Sequence, residues 1–148
     1  MARTLEVTHK IMSAVKSKDT RPELSLRREL WSRGLRYRVN VKTLPGKPDI
    51  VFTKAKIAVF CDGDFWHGHN WAIRGLTSLE EELSRYTPFW RDKILGNIKR
   101  DLETTAKLEC DGWQVIRIWE SDIKSNVSIC ADTVENNYHS RLLFKTKT

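Results

Sequence analysis

The chain has 148 residues, enough for one domain over 1–148 with a core of its own, and its 40% hydrophobic and 30% charged residues exclude a disordered or membrane-embedded protein. A formal net charge of +7 favours a polyanionic partner, because each cation set on a phosphate releases condensed counterions, although a basic balance also occurs in proteins that bind no nucleic acid. Three cysteines (Cys61, Cys110 and Cys130), odd in number and widely spaced, argue against a disulfide framework and fit a reducing compartment.

The opening MARTLEVTHK lacks the apolar region of a signal peptide. No stretch approaches the ~18 apolar residues of a membrane span, so a cytoplasmic protein is expected. Residues 5–18 are basic, with Ile11, Met12 and Val15 at helical spacing, and suit a short helix. A helix is predicted over 21–33. Thr20 and Glu23 form a capping-box pattern, Pro22 suits the first turn, and Leu24, Leu26, Leu30 and Trp31 give an apolar side. In Leu35–Val41 apolar residues alternate with Arg36, Arg38 and Asn40, which predicts a strand with one buried and one cationic face. Pro45-Gly46 marks a turn. Asp49–Thr53 and Lys56–Cys61 are β-branched runs joined tightly, as in a hairpin. A polar, aromatic loop over 62–75 follows, then a helix over 79–86 and a longer one over 88–110 that stops at Asp111-Gly112. Trp113–Trp119 is a fourth strand of mostly apolar content, and a helix over 130–144 closes the chain. The order α-β-β-β-α-β-α predicts a sheet with helices packed against it.

Chemistry concentrates around the hairpin. Asp49 opens one strand close to the end of its partner, where Cys61 and Asp62 lie. Phosphodiester hydrolysis uses hard oxygen ligands so placed, which hold Mg²⁺ against the phosphate and activate water. A turn aspartate capping the Pro-Gly bend is the competing reading of Asp49. Asp62-Gly63-Asp64-Phe65-Trp66-His67-Gly68-His69-Asn70-Trp71 then packs two carboxylates, two imidazoles and three aromatics into ten positions. His67 suits a general acid or base. Phe65 and Trp66 suit stacking on bases, or equally a place in the core. Glu23 serves the capping box, and a helix carboxylate behind a metal site can also orient water or metal.

Several motifs, in order over about 12–120, resemble the very-short-patch repair (Vsr) endonucleases. They are Met12, Asp19-Thr20-x-x-Glu23, Leu44-Pro45-Gly46-x-Pro48-Asp49, Gly63-x-Phe65-Trp66-His67, Phe89-Trp90-x-x-Lys93-Ile94, Asn97-x-x-Arg100-Asp101, Gly112-Trp113-x-Val115 and Trp119-Glu120. The resemblance implies an α/β restriction-endonuclease-like fold, a mixed central sheet flanked by helices. It implies a Mg²⁺-dependent endonuclease with one or two ions. Asp49, His67, Glu23, Asp62 and Asp101 would form the catalytic set, with metal on Asp49, the backbone carbonyl of Cys61, and Asp62. Met12, Phe65 and Trp66 would enter the duplex beside a mismatch, while Lys93 and Asn97 would address the mismatched bases. Lys93, Asn97 and Asp101 recur every four residues and share one helix face.

Two departures stand out. Asp62 replaces a histidine of the mismatch-repair members. The family's structural zinc site, three cysteines and a histidine, is matched by Asp64, His69, Trp71 and Ser121, and tryptophan cannot ligate zinc, so no structural zinc is expected. The partner implied is double-stranded DNA at the nucleoid, and no membrane. The chain is expected to be a monomer working alone or beside other repair or restriction proteins. Nicking beside a thymine–guanine mismatch leads. Restriction, anti-phage or homing cleavage with the same site, and a non-catalytic DNA-binding module, are the alternatives.

Overall fold

The computed structural model describes residues 19–146, with side chains described as far as Leu143. The helix anticipated over 5–18, and Met12 within it, lies outside these residues. Helix α1 (Arg21–Ser32) begins at Thr20, whose hydroxyl accepts the Glu23 N–H at 3.4 Å. Leu26 and Leu30 are fully buried on its inner side. Trp31, expected on that side, is instead half exposed beneath the Arg36 guanidinium, 3.7 Å from its ring centre.

The strand expected over 35–41 shrinks to β1 (Arg38–Val39), with both residues exposed. Leu35 still belongs to the helix end, its N–H bonded to the Leu30 carbonyl at 3.1 Å, and Asn40 at φ 48° breaks the extended run. The hairpin forms as expected from β2 (Ile50–Phe52) and β3 (Ile57–Asp62). After β3 the chain passes through α2 (Asn70–Ile73), α3 (Leu79–Leu83) and α4 (Pro88–Cys110) to β4 (Gln114–Trp119). Helix α2 occupies part of the segment expected as loop. Buried Glu82 of α3 accepts the Trp71 N–H at 2.6 Å and ties the two short helices together.

The sheet order is β1-β2-β3-β4, antiparallel in its first two pairs and parallel between β3 and β4, so the expected mixed sheet flanked by helices is what forms. Alternation along β3 explains its two covered faces. Ile57 and Val59 pack with Leu26 and Leu30 of α1, and Ala58 and Phe60 pack with Leu108 of α4. The last helical region is longer than expected. Helix α5 (Glu120–Ser125) follows β4 directly, and α6 (Val127–Thr146) starts where the Asn126 side chain accepts the Ile129 N–H at 3.1 Å. Arg33 clamps α6 to α1 through Asp132 at 2.6 Å and Glu135 at 3.2 Å. Among the described residues no helix is long and apolar enough to cross a membrane.

Candidate active site

Two glycines bring the loops against α4. Gly46 (φ 73°) lies so close that an added Cβ would stand 2.3 Å from Thr104 Cγ2, which holds the 44–49 segment over the helix. Gly68 (φ 73°) would place a Cβ 2.8 Å from Ile98 Cδ1, and it lets the chain turn sharply after His67. Between them opens a cleft of about 300 Å³ whose lining includes Asp49, Cys61, Asp62, His67, Asp101 and Arg117. Four of the five expected catalytic residues, all but Glu23, therefore line one cavity, and Glu23 stands behind it against Asp49.

Asp49 sits immediately before β2, and its Oδ2 accepts the Cys61 N–H at 2.7 Å. Its carboxyl is pushed up to about 8, first by burial, then by a hydrogen bond with Glu23 and the charges of Glu23 and Asp62, against the pull of the Cys61 amide. Glu23 is 2% exposed. Its Oε2 accepts from Arg27 at 2.8 Å and from the Asp19 N–H at 2.5 Å, so this side chain serves the helix start and the acid cluster together. Burial, and then the surrounding carboxylates, raise the Cys61 thiol well above its usual value. The thiol stays protonated, and only the main-chain oxygen of Cys61 is suited to a hard cation. Half-buried Asp49, with buried Glu23 behind it and the Cys61 main-chain oxygen beside it, is a hard-oxygen donor set that a divalent cation fits.

His67 lies between two acids and is held by one of them. Its Nδ1 is hydrogen-bonded to Asp101 Oδ2, and its Nε2 lies 3.9 Å from Asp62 Oδ1, beyond hydrogen-bond reach. Burial pulls the imidazole pKa down, but the Asp101 hydrogen bond and the charges of Asp62 and Asp101 outweigh it and leave it raised. Asp62, 6% exposed, has its own pKa raised, first by burial and then by Asp101, against His67 and Arg117. The ligand atoms of Asp62, His67 and Asp101 lie within 4.8 Å of one another.

The shared face of α4 meets the loop in register. Lys93 Nζ stands 5.3 Å from the Trp66 ring centre, Asn97 Nδ2 donates to the Trp66 carbonyl at 3.0 Å, and Asp101 holds His67. Phe65 is 9% exposed and packs against Trp90 at 5.6 Å and Tyr86 at 5.5 Å. Trp66 is half-buried at the rim of the same cluster.

Three of the four positions matching the family's zinc ligands, Asp64, His69 and Ser121, form a hydrogen-bonded knot, and the fourth is Trp71. Asp64 Oδ1 pairs with His69 Nδ1 at 2.8 Å and accepts the Ser121 hydroxyl at 2.7 Å, and Asp64 Oδ2 accepts the Ser121 N–H at 3.0 Å. The His69 ring stacks on Trp119 at 4.0 Å and 2°. With Asp64 fully committed and Trp71 offering no donor atom for a metal, this set does not fit zinc.

Sequence reasoning passed over Arg117 and gave no role to Glu120. Arg117 is the lone charge in Gln114–Trp119, in register with Phe60, and a charge in an apolar strand was its signal. Glu120 accepts from the Thr20 hydroxyl, and burial first of all raises its pKa.

Comparison with known proteins follows the same line. The family model described as DNA mismatch endonuclease Vsr matches residues 4–73. The chain is 45% identical over 131 residues to the type II nicking enzyme V.NmeDIP of Neisseria meningitidis serogroup C, covering 88% of this chain and 85% of that protein. It is 41% identical over 124 residues to the type II nicking enzyme V.HpaIIP of Haemophilus parainfluenzae, covering 83% and 84%. It is 33% identical over 115 residues to the DNA mismatch endonuclease Vsr of Escherichia coli K12, covering 78% and 70%.

Proposed function

The chain belongs to the Vsr family of DNA endonucleases, and from that premise we propose that it nicks one strand of duplex DNA beside a thymine–guanine mismatch with the help of Mg²⁺. The observation that carries this reading is the cleft in which Asp49, fixed by the Cys61 amide, faces a histidine gripped by Asp101. Relatives named nicking enzymes support a single-strand cut over a double one. The +7 charge supports a duplex partner.

Asp49 and the main-chain carbonyl of Cys61 would hold the ion, with Glu23 buttressing Asp49 from behind. When bound, Mg²⁺ supplies a Lewis acid for the phosphate and lowers the pKa of water. His67 moves the proton at Nε2, the nitrogen that Asp101 leaves free, and Asp101 fixes the ring and its tautomer at Nδ1. Asp62 faces the same Nε2 and stabilises the imidazolium. Trp66 leads the wedge beside the mismatch, backed by Phe65 and joined by Met12 from the N-terminal segment. Lys93 and Asn97 address the bases that the wedge exposes. The chain acts as a monomer.

Plasmid nicking tests the reading. Asp49→Asn is expected to lose Mg²⁺-dependent nicking by several orders of magnitude, since the uncatalysed barrier is very high, while DNA binding at fixed salt persists. Nicking near the wild-type rate by this variant, or nicking by the wild type in EDTA, overturns it.

A further inference from the structure

Arg117 is a charge placed in the middle of an otherwise uncharged strand, and every nitrogen of its guanidinium is engaged. Nε donates to Thr105 Oγ1 at 3.0 Å, and Nη2 donates to the Asp101 carbonyl at 3.3 Å. Nη1 donates to both oxygens of Asp62, at 3.0 and 3.1 Å, and lies 3.7 Å from Asp101 Oδ1. The flat group stacks 4.1 Å over the Phe60 ring, so its orientation is fixed as well as its charge. The two acids it bridges are those that flank His67. Among the described residues Asp62, His67 and Asp101 have the spacing of a cation site, and the guanidinium already supplies the positive charge there. A divalent ion on the same atoms would have to break the fork to Asp62 and stand beside a fixed cation in a low-dielectric cleft.

We propose that Arg117 is a positioning residue that closes the Asp62–His67–Asp101 triangle to divalent metal, leaving metal to the Asp49 side and both acids to His67. This rests on the reading that Asp49 holds the metal. The role of Asp62 thereby changes from ligand to partner of Arg117.

Mn²⁺ binding to the DNA-free chain, counted by electron paramagnetic resonance, tests it. Wild type is expected to bind one Mn²⁺ per chain, and Asp49→Asn none. Arg117→Gln is expected to bind two, and the double variant Asp49→Asn/Arg117→Gln one, in the opened triangle. Arg117→Lys keeps the charge and is expected to stay at one. An unchanged count in folded Arg117→Gln overturns the proposal. So does a second Mn²⁺ of equal affinity in wild type, which decides the matter even if Arg117→Gln fails to fold. Retention of one Mn²⁺ by Asp49→Asn, by contrast, overturns the assignment of Asp49 on which the proposal rests.

Discussion

Asp49 stands among buried groups and two other acids, Glu23 and Asp62. It holds its proton up to about 8, whereas in the unfolded chain an aspartate releases it near ~4. Between those values the folded state binds the extra proton, so stability falls as pH rises. His67 works in the same direction. Its raised pKa stabilises the folded form below the ordinary histidine value of ~6.5, and that contribution is lost as pH climbs through the folded value. The melting temperature in EDTA is therefore expected to fall from pH 5 to pH 8. The gain from added Mg²⁺ is expected to grow over the same interval, because the metal displaces the proton on Asp49. A Mg²⁺ gain that stays flat across this window contradicts the assignment. His67→Ala is expected to lower the single-turnover nicking rate by about 10²–10⁴ with little change in DNA affinity. A loss confined to affinity would move His67 from catalysis to binding.

At the scale of elements, the segment from Asp64 to Trp71 must be tied to the end of β4, because it carries both His67 and Trp66. The tie is the knot of Asp64, His69 and Ser121, with the His69 ring stacked on Trp119. His69→Ala removes the stack and leaves Asp64 short of a partner, which is expected to cost about 1–3 kcal/mol in urea unfolding. EDTA alone is expected to leave the wild-type midpoint unchanged at neutral pH if no Mg²⁺ was present before. Stoichiometric zinc by elemental analysis sinks this account of the segment. Trp66 belongs to the same scale, since Asn97 fixes its carbonyl and Lys93 lies over its ring. Trp66→Ala is expected to reduce discrimination between mismatched and matched duplex while Mn²⁺ binding stays at the wild-type level. Equal discrimination by wild type and variant removes the wedge role.

Across the whole molecule, the sequence was most legible where local chemistry and global packing agree. The α4 boundaries, the hairpin and the stacked face of Lys93, Asn97 and Asp101 follow from Pro88 in the first turn and Gly112 past the last, alternation and a four-residue period. Residues 35–41 misled because alternation assumes a covered strand, and β1 is an edge held by one neighbour. Helix α5 was hidden because Trp119-Glu120 reads as the end of a strand, and only tertiary packing, the Thr20–Glu120 bond together with Ile123 in the core beside Leu26 and Leu30, places it beside α1. Arg117 was hidden for the opposite reason. Its partners lie 12 to 55 positions away, and they meet it only when β3 and β4 pair in parallel and α4 packs against β4.

The central claim is that this whole arrangement serves a cut guided by a mispaired base. The most direct measurement is the single-turnover nicking rate with Mg²⁺ on two oligonucleotide duplexes, at one salt concentration, that differ only in one thymine–guanine pair against thymine–adenine. Nicking of one strand, at least ten times faster on the mismatched duplex and absent in EDTA, is the result expected. Equal rates on both duplexes, or cleavage of both strands, would contradict mismatch-directed nicking and leave the endonuclease without that guide.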